Sequence, residues 1–285
     1  MKALKIAIQK SGKLSDTSLK LISEAGIQIT NDSRNLFSQS GNFPLQTLYL
    51  RDDDIPKYVE DGVADAGIVG EDMLIEKGFN LRVMEKLGFA RCRLSLAIPR
   101  SVEYEGLSFF EGKKIATSYP SVLKSFLRKK QIRAEVHEIS GSVEIAPCIG
   151  LADAIFDVVS SGSTLTSNGL REVETVMYSE AVLVAGRNLE KEVAAVLEKF
   201  LFRLRAVMRA DNNKYILLNA PNDKLEQIIS ILPGIKSPTV MPLALEGWSS
   251  LHSVLSENEF WEVIDKLKEN GAQGILVIPI EKMII

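Results

Sequence analysis

A short apolar strand, a helix and then an apolar segment carrying aspartate occur twice ahead of the polar break Asp211-Asn212-Asn213. This repeat limits the fold more than any other feature of the chain. In the first copy, Lys5-Ile6-Ala7-Ile8-Gln9-Lys10 is the strand. Ser15-Asp16 is expected to cap a helix with apolar Leu19, Leu21 and Ile22, stopped by Gly26. In the second, Lys114-Ile115-Ala116-Thr117-Ser118 is the strand. Pro120 opens the helix, and Val122, Leu123, Phe126 and Leu127 recur at the helical period. The matched later segments are Val63-Ala64-Asp65-Ala66-Gly67-Ile68-Val69-Gly70 and Leu151-Ala152-Asp153-Ala154-Ile155-Phe156-Asp157. Strands alternating with helices form mostly parallel sheets, so two lobes on one plan are predicted. Ligands are expected beyond the carboxyl ends of the strands, in the crevice between the lobes. Arg93 to Pro99 is expected to cross to the second lobe and Glu180 to Ala185 to return. The lobes then comprise residues 1–92 with 182–210, and residues 93–181. Glu190 to Arg209 has the apolar pattern of a long helix.

Residues 211–285 alternate differently. Tyr215 to Leu218 is strand-like, and Asp223 to Ile231 is helical and closed by Pro233-Gly234. Thr239 to Leu245 and Ser249 to Leu255 suit a hairpin, Glu257 to Lys268 a helix, and Ile275 to Ile280 a last strand. The order β-α-β-β-α-β is the ferredoxin-like plan. By analogy of fold, such an appended module binds a regulatory small molecule.

Bulk properties exclude several classes. Among 285 residues, 34 are Lys or Arg and 37 are Asp or Glu, a net charge of −3, so the fold as a whole is not built to attract nucleic acid. Its longest apolar runs are strand-sized, too short for a membrane span. The first residues lead straight into a strand without a signal-peptide core, which predicts a cytoplasmic protein. Cys92 and Cys148 are expected to be buried thiols rather than a disulfide. With only His137 and His252, a histidine-rich zinc site or a Ser-His-Asp triad is improbable.

The segment from Glu144 to Leu165 carries the chemistry. Asp157 interrupts the apolar run Ile155-Phe156-Val158-Val159, and an acidic group there is costly without partners. Ser160-Ser161-Gly162-Ser163-Thr164 follows, and consecutive N–H groups and hydroxyls in such a turn suit a phosphate, although an ordinary strand–helix turn has the same residues. A carboxylate just before the turn suits ribose hydroxyls or a metal. Glu144 is either solvated or faces the cleft. Lys10 and Arg51, at strand ends, are candidates to neutralise phosphates. Asp53 and Asp54 suit helix capping, and Asp72 either caps a helix or lies at the cleft rim. Ser237-Pro238-Thr239 and Gly271-Ala272-Gln273-Gly274 are turns whose backbone groups would be exposed in an amino-acid sensor.

At fixed spacing, Glu144, Gly150, Ala152, Ile155, Asp157, Val158, Ser161, Gly162, Thr164 and Leu165 resemble the signature of the ATP phosphoribosyltransferase family. The likeness extends over the chain, through Gln9-Lys10-Ser11-Gly12, Arg51-Asp52-Asp53-Asp54-Ile55, Gly67-Ile68-Val69-Gly70, Ile115 to Pro120 and Leu232 to Thr239. It implies the long form: two lobes like a type II periplasmic binding protein plus a C-terminal ferredoxin-like regulatory domain. The implied reaction transfers the phosphoribosyl group of phosphoribosyl diphosphate (PRPP) to N1 of ATP, the first step of histidine biosynthesis. The resemblance further implies magnesium, dimers that assemble into hexamers, and inhibition by histidine. It places Ser161, Gly162, Ser163, Thr164 and Leu165 on the 5′-phosphate, with Asp157 and Asp153 on the ribose. Lys10 and Arg51 would contact phosphates, and Glu144 is a candidate base. Asp72, Thr117 and Tyr119 would lie near the nucleotide, and Ser237, Pro238, Thr239 and Ala272 would sense histidine. A non-catalytic two-lobed receptor for a small anion, or a prephenate dehydratase, would share the lobe plan without needing the acidic residue beside the turn.

Overall fold

The computed structural model describes residues 2–29, 36–232, 234 and 237–285. Contacts divide the chain into two compact units, one of residues up to Lys20 with Gln28–Leu197, the other of Leu21–Ile27 with Glu198–Ile285.

In chain order the larger unit begins with β1 (Leu4–Gln9), α1 (Lys13–Glu24), β2 (Phe37–Gln39) and β3 (Leu45–Leu50). It continues through α2 (Ile55–Glu60), β4 (Ala66–Gly70), α3 (Glu71–Lys77) and β5 (Arg82–Lys86). The chain then builds a second sheet from β6 (Cys92–Pro99), β7 (Lys114–Thr117), α4 (Pro120–Lys130), β8 (Glu135–Glu138), β9 (Ala154–Val159), α5 (Ser163–Ser167) and β10 (Leu170–Ser179). It returns through β11 (Ala181–Ala185) into the long α6 (Lys191–Asp211).

The sheet orders are β2-β3-β1-β4-β11-β5 and β10-β6-β9-β7-β8. Leaving out the short β2, both follow one plan. The lobe's first strand lies between its second and third, in parallel. The strand arriving from the other lobe runs antiparallel beside the third and carries the last strand outside it. This is the two-lobed, periplasmic-binding-protein-like architecture. The repeat is also visible in single side chains. Asp65 accepts the Lys5 amide at 2.8 Å and Asp153 accepts the Lys114 amide at 2.9 Å, so each clamps the start of its lobe's first strand.

Both faces of the second sheet are buried. Leu94, Ile98, Ile115, Leu123 and Phe156 pack on one side, and Ala97, Ala116, Ile155, Val159 and Leu165 on the other. That explains the unbroken apolar runs of the central strands. The helix expected from a Ser15-Asp16 cap begins earlier, at Lys13, where the Gly12 carbonyl accepts the Asp16 amide at 3.0 Å. Neither Arg51 nor Asp54 caps through its side chain; Asp52–Asp54 form a 3₁₀ turn ahead of α2.

The smaller unit contains β12 (Asn213–Pro221), α7 (Leu225–Ile231), β13 (Thr239–Pro242), β14 (Trp248–Ser256), α8 (Glu257–Glu269) and β15 (Gln273–Pro279). Its antiparallel order β13-β14-β12-β15 is ferredoxin-like, with Leu218, Ile228, Leu251, Phe260 and Leu267 in its core. Pro233, expected to close α7, lies outside the described residues. Cys92 and Cys148 are free thiols as expected, but neither is buried: Cys92 is half-buried and Cys148 exposed. Among the described residues no helix is long and apolar enough to cross a membrane.

Candidate active site

The carboxyl ends of β1, β3 and β4 in the first lobe and of β7 and β9 in the second carry most of the expected residues, and Tyr119 and Ser118 link Asp72 to Asp157. Asp157 is half-buried near the end of β9 and accepts the Ser118 hydroxyl at 3.2 Å. Burial raises its carboxyl above the usual range, and the nearby Glu144 carboxylate adds to this against hydrogen bonds from Val158 and Ser118. Glu144, on the 3₁₀ turn Val143–Ile145, is close enough for its charge to be felt by Asp157.

The turn after β9 is preformed. Gly162 has φ +79°, a left-handed conformation that glycine adopts without strain, and α5 starts at the next residue. Ser161, Ser163 and Thr164 are exposed, with the Ser161 and Ser163 hydroxyls 2.9 Å apart. Leu165 anchors the turn from below in the core. Two arginines hold its flanks. Arg93 donates to the Ser160 carbonyl at 3.0 Å and Arg100 to the Thr166 hydroxyl at 3.1 Å.

Arg93 is itself gripped by Glu172 through bonds of 2.6 and 2.5 Å, and Ser95 donates to the same carboxylate at 2.7 Å. The hydrogen bond from Arg93 is the main reason Glu172 falls from 4.5 to about 2. A lowered carboxyl adds stability that is complete above its unfolded value and is lost as pH falls through the folded one. Glu172→Gln is thus expected to lose on the order of 2 kcal/mol at neutral pH. The deficit, followed by Tm against pH, should shrink as pH falls from 4.5 towards 2. A deficit independent of pH would rule out the ion pair as its source.

The sites of several expected contacts are corrected by geometry. Asp153 precedes β9 and binds the start of β7. Four residues of strand span about 13 Å, so Asp153 and Asp157 cannot meet one ribose. Thr117 is fully buried and accepts the Tyr119 amide at 2.8 Å, which shapes the loop rather than a ligand surface. Asp72 does not stand open to a nucleotide: it is buried, accepting Ser179 at 2.6 Å and the Tyr119 hydroxyl at 2.8 Å. A Cβ at Gly70 would lie 2.5 Å from Asp72 Oδ1, so a larger residue there would push the Asp72 carboxylate off its Ser179 and Tyr119 partners. The Tyr119 hydroxyl is raised by burial and by Asp72, so it stays protonated and donates. In the smaller unit, Ala272 is buried, and it precedes β15 at the edge of the sheet opposite β13, where Thr239 lies.

Lys10 and Arg51 are exposed neighbours at the ends of β1 and β3, where the Lys10 amide donates to the Leu50 carbonyl at 2.8 Å. Sequence reasoning did not single out Asp52. Its Oδ1 is buried and accepts no hydrogen bond among the described residues, and its carboxyl is raised by burial, then by Asp72 and Asp53. Ser179 was also missed, and Cys92 was read only as a thiol; its sulfur is raised by burial and by the Asp72 charge.

A family model described as ATP phosphoribosyltransferase matches residues 51–206, and one for the C-terminal domain of that family matches residues 210–282. The ATP phosphoribosyltransferase of Bacteroides thetaiotaomicron is 58% identical over 282 residues, covering 99% of this chain and 100% of the relative. The chain belongs to the ATP phosphoribosyltransferase family. The ATP phosphoribosyltransferase of Cytophaga hutchinsonii is 55% identical over 281 residues, covering 99% of this chain and 98% of the relative. Among solved structures, the ATP phosphoribosyl transferase (HisG:HisZ) complex from Thermotoga maritima aligns with a TM-score of 0.60 and 27% identity, over 70% of this chain and 98% of that one. With the C-terminal family domain present, this is the long form of an ATP phosphoribosyltransferase, a glycosyltransferase of histidine biosynthesis rather than an anion receptor or a dehydratase.

Proposed function

We propose that the turn Ser161 to Leu165 holds the 5′-phosphate of PRPP and that Asp157 receives the ribose hydroxyls, while the phosphoribosyl group passes to N1 of ATP. One observation carries this reading: a half-buried, raised carboxylate, with no cation among the groups that shift it, stands directly before a preformed turn of exposed hydroxyls. The nucleophile is a nitrogen of the substrate, so the protein needs no Ser, Cys or His nucleophile. Its work is to hold two anions in line, which contributes roughly 7–11 kcal/mol at best. Lys10 and Arg51 meet phosphates from the first lobe, Tyr119 lies by the nucleotide, and Glu144 is the candidate base. Displacement at the anomeric carbon builds positive charge on the ribose, which the Asp157 carboxylate is placed to stabilise.

Magnesium fits this site as an ion held mostly by substrate phosphates with one or two carboxylates, of which Asp157 is the first choice. Among the described residues no group of three or more His, Cys, Asp or Glu side chains is arranged to hold a metal alone. Bound there, the ion would neutralise the leaving diphosphate.

The catalytic lobes are assigned to residues 1–92 with 182–210 and to 93–181, and the regulatory domain to 211–285. Histidine inhibits through the turns bearing Ser237, Pro238, Thr239 and Ala272. The enzyme is cytoplasmic and works as dimers assembling into hexamers. Exposed Leu276, Val277 and Ile278 on the edge strand β15 supply apolar surface for association.

Crystals soaked in PRPP test the site, with the sugar phosphate expected on Asp157 and the 161–165 turn; an empty turn with the sugar held elsewhere would remove the assignment. Diphosphate release from ATP and PRPP, titrated with histidine, tests reaction and feedback together.

A further inference from the structure

Glu76 is a buried carboxylate near the end of α3, in the first lobe, and the reaction as described does not use it. Its two oxygens accept the amides of Ser121 at 2.9 Å and Val122 at 3.0 Å, the opening turn of α4 in the second lobe. That helix has no side-chain cap of its own, since Tyr119 stands at its N-cap position and makes no capping bond. Glu76 therefore supplies from the other lobe what a local Ser or Asp would otherwise supply.

Asp72 lies four residues earlier on α3, on the same helix face. It accepts the hydroxyl of that same Tyr119. Two carboxylates one turn apart thus fix the loop from Thr117 to Val122. The loop also carries Ser118, which donates to Asp157. A displacement of the α4 opening turn would move Tyr119 and Ser118 together, while the phosphate turn would stay anchored by Arg93 and Arg100 within its own lobe.

We propose that Glu76 is a positioning residue for phosphoribosyl transfer: through the α4 amides it sets the alignment of the first lobe's phosphate-binding groups with the Asp157 site. This rests on the reading that Asp157 and the following turn hold PRPP. It predicts that alignment suffers while PRPP capture does not.

The test uses the full chain with Glu76→Ala and Glu76→Gln, measuring kcat, both KM values, Tm, and PRPP affinity by calorimetry. Glu76→Ala should lower kcat about 30-fold, since misplacement by an ångström costs up to about a hundredfold. Its PRPP affinity should change less than about threefold, the signature of a lost alignment rather than lost binding. Glu76→Gln keeps one acceptor oxygen and should recover most of the lost turnover. If Glu76→Ala does not fold, Glu76→Gln carries the test alone, with kcat down about fivefold and PRPP affinity intact. Unchanged kcat, or kcat and PRPP affinity falling together with Tm, would overturn the proposal. The site reading is tested separately: Asp157→Asn should weaken PRPP binding, and unchanged affinity there would sink that reading.

Discussion

Asp157→Asn is expected to lose about a thousandfold in kcat/KM while melting no lower than the parent chain, because the charge it removes serves the reaction and not the fold. In the folded chain the Asp157 carboxyl is raised above its ordinary 3.8, chiefly because it is withdrawn from water, so its ionised form costs stability. A group raised in this way binds more protons folded than unfolded, and wild-type stability therefore falls as pH climbs through its titration. Asparagine is the same size and keeps an acceptor for Ser118, which donates at 3.2 Å. Melting curves of the pair should favour the variant at pH 7 and converge as pH falls below 3.8. Turnover near that of the parent would take Asp157 out of the site. A lower Tm at pH 7 would show that the hydrogen bonds from Val158 and Ser118 to the carboxylate outweigh the cost of its burial.

What could be read from the chain alone depended on how strongly each segment signals its own period. The central strands β1, β4, β7 and β9 are apolar on both faces and are legible as runs. The edge strands β5 and β8 have no fully buried residue, so neither shows a pattern, and both went unrecognised. The Asp157 turn was legible because an acid inside an apolar run is anomalous whatever surrounds it. Asp153 looked equivalent by composition, and only the strand geometry separates a clamp at one end of β9 from a ligand at the other. Glu76 was beyond reach for a different reason. Its partners are the amides of Ser121 and Val122, and backbone groups leave no mark on side-chain identity. Arg93 escaped similarly, since its contact to the phosphate turn is to the Ser160 carbonyl.

Gly162→Val is expected to raise the KM for PRPP about a hundredfold with only a modest loss of stability. The residue has φ +79° and ψ 0°, a conformation that costs an L-amino acid roughly 1–2 kcal/mol, and more for a β-branched side chain. Space is not the obstacle. A Cβ at this position would meet only Val159 Cγ1, at an ordinary 3.9 Å. Gly67 shows the opposite case: a Cβ there would lie 2.7 Å from Ile55 Cγ2, so a larger residue would disturb the first lobe's core, not a ligand site. At position 162 the chain relieves its strain by rotating the turn, and the amides of Ser163 and Thr164 rotate with it. Hydrogen bonds from Arg93 to the Ser160 carbonyl, from Arg100 to the Thr166 hydroxyl and from Asn168 to the Thr164 carbonyl keep the flanks in place. The damage is then confined to the donors that would face a phosphate, which is why affinity should fall much further than Tm. Gly162→Ala, strained without the branch, should fall between the two. Equal losses of Tm and PRPP affinity in both variants would mean that the turn is part of the scaffold and binds nothing.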